Sequence, residues 1–164
     1  MSDNTLVINT SPLIALIAAT GDLSLLDTMF KKVIVPLEVV GEIEQGGKYG
    51  FGIEVFKTAD WLDKRTQSVQ TTTLLKQLLD LGESSVIQTA VNQKINTVAI
   101  DERVGRRIAR LHGLKVIGTL GILLKAFHSG HIDSLGQSIE NMKQHGIWIS
   151  KKLEKTVLDM AKSS

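Results

Sequence analysis

No cysteine occurs in the 164 residues. Disulfide scaffolds, thiolate zinc sites and cysteine nucleophiles are thereby excluded. Aromatic residues are scarce, at 4%, which disfavours the base-stacking platforms of RRM and OB modules. A nucleic-acid partner would have to be held mainly through its phosphates. Long apolar runs are missing as well. The longest, Leu13 to Ala19, is 7 residues, too short to span a bilayer. The opening Met-Ser-Asp-Asn-Thr lacks the basic start of a signal peptide, so the expectation is a cytoplasmic protein with no membrane role. Strong charge imbalance is absent too. Net charge is +2 and pI about 8.9, a balance that does not by itself mark a polyanion binder.

What is present is globular: 43% hydrophobic and 22% charged residues, which argues against disorder. The length corresponds to one domain, expected over 1–164, with 130–164 as a C-terminal helical extension packed on it. No internal repeat or low-complexity stretch interrupts it.

Short apolar runs alternate with helical patterns. Leu6-Val7-Ile8 reads as a strand, and Asn9-Thr10-Ser11-Pro12 as a turn in which Ser11 caps a helix and Pro12 takes its first position. That helix runs through Leu13–Ala19 and closes at Gly21, and a second starts at Asp22 or Ser24. Val33-Ile34-Val35 is β-branched throughout and reads as a strand, with a helix from Pro36 to about Gln45. The stretch from Gly46 to Gly52 reads as a loop, and Trp61-Leu62 as part of a short strand. Helices are expected over Thr73–Leu81 and, after a break at Gly82, over Glu83–Asn92. Thr97–Ile100 and Lys115–Ile117 are strands, each followed by a helix, Arg103–His112 and Gly118–His128. Two further helices, Asp133–Gln144 and Ser150–Lys162, flank the short apolar Ile147-Trp148-Ile149. Strands separated by helices need crossover connections. The fold expected is therefore α/β, with a parallel sheet covered on both faces. Such a sheet binds its ligand beyond the carboxyl ends of its strands.

The residues at those ends are oxygen-rich. Asn9 follows the first strand and Asp101-Glu102 the third. Glu83 lies in the first turn of its helix, where the dipole favours a carboxylate, and Glu42 and Glu38 lie one turn apart after Pro36. Each has a plain reading as cap, turn or solvated helix residue. Gathered on one rim, the like charges would repel unless a cation or proton neutralised them. Oxygen ligands without His or Cys suit Mg²⁺ or Mn²⁺. Arg103, Arg106, Arg107 and Arg110 recur at helical spacing on one face, opposite Val104, Ile108 and Leu111. Such a stripe holds phosphate, or is a solvated basic face.

Other chemistries lack their motifs. There is no G-x-G-x-x-G after the first strand, no Walker spacing around Gly46–Gly50, no H-E-x-x-H among His112, His128, His131 and His145, and no G-x-S-x-G elbow. A phosphoacceptor receiver domain would need a late strand-end lysine, where this chain has Ile117-Gly118-Thr119.

Five segments, in order, resemble the PIN-domain nucleases and, within them, the relatives of VapC-type toxins. They are Leu6–Ile14, Val35-Pro36 with Val39–Ile43, Leu81–Ile87, Val98–Ala109 and Gly118–Leu124. The resemblance covers nearly the whole chain. It implies a three-layer α/β/α sandwich with a central parallel sheet, binding Mg²⁺ or Mn²⁺ through acidic side chains and hydrolysing RNA. It also implies a small antitoxin partner and a homodimer. By position, Asn9 takes the place of the family's first aspartate, Glu42 of its helix glutamate and Glu83 of its third acid. The fourth falls on Asp101 or Glu102, and Ser11 would be the hydroxyl that supports the first. Arg103, Arg106, Arg107 and Arg110 would then position the RNA backbone. Asparagine at position 9 departs from the pattern. It keeps an oxygen but loses a charge worth about 4 kcal/mol of gross attraction at ~4 Å and an effective dielectric of ~20. The alternative implied is a weakened or inactive PIN-like module that binds RNA or an antitoxin without cutting.

Overall fold

β1 (Thr5–Ile8) is buried at all four positions, and β2 (Lys32–Val35) at its last three. Successive strand residues face opposite sides of a sheet, so burial of every residue means that both faces are covered. The computed structural model, which describes residues 4–47 and 49–163, places these strands beside β3 (Asp63–Lys64), β4 (Thr97–Ala99) and β5 (Lys115–Ile117). Among the described residues they form one five-stranded sheet in the order β3-β2-β1-β4-β5. All four pairings are parallel, with Leu6 opposite both Val33 and Thr97. The chain builds outward from β1 in one direction, then restarts at β4 on its other side. The boundary between β1 and β4 is therefore the topological switch point, where α/β sheets open a crevice at their carboxyl ends.

The expected α/β class and parallel sheet are thus observed. The helices are α1 (Thr10–Thr20), α2 (Ser24–Met29), α3 (Leu37–Glu44), α4 (Ile53–Thr58), α5 (Thr73–Leu78), α6 (Leu81–Gln93), α7 (Arg103–Leu111), α8 (Thr119–His128), α9 (Leu135–Gln144) and α10 (Lys151–Lys162). α1 is apolar on nearly every side and is buried from Pro12 to Ala19, as a core helix must be. One cover is α9, whose Asn141 Nδ2 donates to the Ala19 carbonyl at 2.9 Å. α9 is tied in turn to α10, where Lys143 pairs with Glu154.

Local expectations needed four corrections. α1 starts at Thr10 with Asn9 as its N-cap, so Ser11 and Pro12 sit inside the first turn. The lost proline N–H costs nothing there, because the first four N–H groups have no intrahelical partner. Gly82 does not break a helix: α6 begins before it, at Leu81, capped by Asp80. α4, absent from the sequence reading, is short and anchored by the fully buried Phe56. The short third strand is Asp63–Lys64 rather than Trp61-Leu62.

Candidate functional site

Asn9 leaves β1 in extended conformation, with its backbone N–H bonded to the Ala99 carbonyl of β4 at 3.0 Å. This bond spans the switch point and fixes where the side chain emerges. The side chain caps nothing and has no hydrogen-bond partner among the described residues, although Asn9 is only 4% exposed. Among the described residues only Thr10 Oγ1 and Glu38 Oε1 are fully enclosed side-chain polar atoms without a partner, so the Asn9 amide keeps some contact with solvent, and its oxygen lies near a shared point. The site that a Cβ on Gly82 would take is 3.0 Å from Asn9 Oδ1, 2.9 Å from Glu42 Oε1 and 3.6 Å from Asp80 Oδ1. Three oxygens from β1, α3 and the start of α6 thus converge over a residue that has no side chain to fill the space.

Glu42 reaches the point because Val39 and Ile43 are buried in the core and fix how α3 is turned. Glu38, one turn earlier, goes elsewhere. Its Oε2 accepts from the Val69 N–H at 3.2 Å, and it borders a polar cavity of about 270 Å³ with Arg65 and Thr89.

Glu83 is buried at the base of α6, with Oε2 tight against the backbone of Gly105 in α7. Burial pushes its carboxyl up to about 8. A hydrogen bond with the Asp80 side chain and the negative charges of Asp80 and Glu102 push the same way. A hydrogen bond from the Asp80 backbone to the Glu83 carboxyl opposes them. With no cation beside it, Glu83 therefore holds its proton more firmly than an ordinary carboxyl does.

At the end of β4, the Asp101 carboxylate is held by Thr119, from the backbone N–H at 2.8 Å and the hydroxyl at 2.6 Å. It joins the start of α8 to the crevice rim. Glu102 is exposed, makes no side-chain cap for α7, and acts on Glu83 through its charge. Ser11 is half-buried and makes no hydrogen bond to Asn9. The structure therefore brings Asn9 and Glu42 to the same point over Gly82 and ties Glu83 to it through Asp80, while Asp101 and Glu102 lie on the β4 side.

The four arginines do not share one environment. Arg103, Arg107 and Arg110 are exposed, whereas Arg106 is turned in and its Nη1 donates to the Ile100 carbonyl at 2.9 Å. Burial, and then the like charge of Arg110, lowers its pKa, and Asp101 partly restores it. The opposite face is only partly a core face. Ile108 is half-buried against the core, but Val104 and Leu111 are 57% and 74% exposed, and Gly105 and Ala109 are the buried residues of α7. These two small residues let the helix approach closely enough to seal Glu83.

Sequence reasoning missed Asp80. Its signal was the Asp80-x-x-Glu83 spacing of a capping box, hidden by reading Gly82 as a helix break.

Among the described residues, no three His, Cys, Asp or Glu side chains lie close enough together to hold a metal by themselves. That does not conflict with Mg²⁺ or Mn²⁺. Mg²⁺ usually keeps several waters and takes one or two protein carboxylates plus substrate phosphates, not an all-protein cage. One unpartnered amide oxygen and two carboxylate oxygens, all hard donors around an unfilled cradle, fit that demand.

The fold and the side chains beyond its strand ends define a parallel α/β protein with oxygen donors gathered at its switch point. A family model described as a PIN domain matches residues 5–163, and the chain belongs to the PIN-domain family. Comparison with curated proteins and with solved structures gave no match. Among the described residues, no helix is long and apolar enough to cross a membrane.

Proposed function

We propose that the protein is a Mg²⁺- or Mn²⁺-dependent endoribonuclease that cleaves RNA phosphodiesters, acting as the toxin of a cytoplasmic toxin–antitoxin pair of VapC type. The observation that carries this reading is the convergence of Asn9 Oδ1 and Glu42 Oε1 over Gly82 at the switch point, beside the buried Glu83. A divalent cation bound there supplies Lewis-acid activation of water at neutral pH and neutralises charge developing on phosphate oxygens. Asn9, Glu42, Glu83 and the Asp101–Glu102 pair are the residues assigned to hold it. Arg103, Arg107 and Arg110, exposed along α7, are assigned to the RNA phosphates. Arg106 holds the β4 end in place through Ile100. The same arginines beside exposed Val104 and Leu111 suit an antitoxin segment that is both acidic and apolar. Exposed Leu74, Leu78 and Leu81 near the crevice suit a homodimer contact.

The test is RNA cleavage with Mn²⁺, with a Glu83→Gln control. Cleavage by the wild type that the variant loses supports the reading; equal residual cleavage by both points to contamination and rejects it. Asn9 favours a second reading, because it withholds the charge expected at the first position. In that reading the domain binds RNA or an antitoxin without cutting. A folded protein with no Mn²⁺ site in a calorimetric titration would decide for it.

A further inference from the structure

We infer that Asp80 is a cation ligand of the crevice and supplies the negative charge that Asn9 lacks. The inference rests on the metal-dependent reading above and assigns it one further residue. Asp80 Oδ1 lies 3.6 Å from the same point that Glu42 and Asn9 approach, so it borders the same cradle. The cradle is marked independently by Asn9. That residue is only 4% exposed, its side chain has no hydrogen-bond partner among the described residues, and its oxygen lies near this point. A neutral amide placed there lowers the attraction for a cation, and one carboxylate nearby restores it. Asp80 is placed to do so by local chemistry. As N-cap of α6 it is held by the Glu83 N–H at 2.8 Å, with its own backbone extended. The carboxylate is held in place before any ligand arrives.

Helix capping alone explains why an Asp, Asn or Ser stands at position 80, but not why a charge is needed there. Asn caps as well as Asp, so Asp80→Asn removes the charge and keeps the cap. The experiment is calorimetric titration of the full chain with Mn²⁺, comparing the wild type, Asp80→Asn, Asn9→Asp and the double variant, with thermal melts in chelator as the fold control. Asp80→Asn is expected to weaken Mn²⁺ binding at least about tenfold with an unchanged melt. Asn9→Asp is expected to tighten it, and in the double variant to return binding to within about threefold of wild type, because the charge has only been moved across the crevice. If Asp80→Asn does not fold, Asp80→Ser, another neutral cap, takes its place. Wild-type affinity in Asp80→Asn, or no rescue by Asn9→Asp, overturns the role of Asp80 while the metal reading stands. No Mn²⁺ binding by the wild type overturns both.

Discussion

The Glu83 carboxyl occupies the space that a methyl group on Gly105 would need. A Cβ there would collide with Glu83 Oε2 and stand 3.0 Å from Cγ2 of Ile100, a fully buried residue that cannot retreat. Gly105→Ala sets two effects against each other. Alanine in a helix interior is favoured by about 0.5–1 kcal/mol, while overpacking a filled site costs about 1–3 kcal/mol. The clash wins, so urea denaturation should show a net loss of about 1–2 kcal/mol. A stabilised variant would mean that Glu83 is not seated there.

Gly82→Ala should behave in the opposite way. Its nearest neighbours are the ends of the Glu42 and Asn9 side chains, which can swing aside. Stability is expected to hold or to rise by up to about 1 kcal/mol. The methyl group fills the cradle, so Mn²⁺ affinity in a calorimetric titration should fall. Unchanged affinity would place the cation elsewhere.

Stability should depend on pH through Glu83. Its carboxyl titrates near 8 in the folded chain against an ordinary value of 4.5. Between those values the folded state holds a proton that the unfolded state has released. The stabilising contribution is full below 4.5 and is lost as pH rises through about 8. The slope is at most about 1.4 kcal/mol per pH unit in that window. Glu83→Gln, which has the same shape but nothing to titrate, should flatten the curve. Chemical denaturation across that window, in chelator, measures the difference. Parallel curves would remove Glu83 as the cause.

The arginines of α7 should separate by role. Removing Arg103, Arg107 and Arg110 together leaves packing intact, since all three are exposed. If each meets one phosphate of single-stranded RNA, the slope of log affinity against log salt should shrink by about two units. Arg106→Ala should instead destabilise the fold by about 1–3 kcal/mol, because the Ile100 carbonyl loses its partner. Binding measured from low to moderate salt, with denaturation alongside, tests both expectations.

Much of this organisation was legible in the chain because it is written in period and position. The apolar runs at Leu6, Val33, Thr97 and Lys115 are all strands, and β1 and β4 are the two strands that flank the switch point. Other features were hidden because tertiary contacts decide them. α4 has one buried anchor, Phe56, and β3 is two residues long; neither leaves a periodic trace. On the apolar side of α7 only Ile108 packs against the core, while Val104 and Leu111 are exposed. Closeness to Glu83 requires small residues, so Gly105 and Ala109 face inward instead. Gly82 was misread for a related reason. Its value lies in the missing Cβ rather than in backbone freedom, and periodicity does not distinguish the two.

The bond from Asn141 to Ala19 joins positions 122 residues apart. It has a consequence for synthesis on the ribosome. The greasy α1 emerges early, and one of its permanent covers, α9, is translated far later. Until then the nascent chain presents α1 covered only in part, by earlier elements such as α3 and α8, and the open side is an obvious target for chaperones. Productive folding, and any nuclease activity with it, must wait until most of the polypeptide has been made.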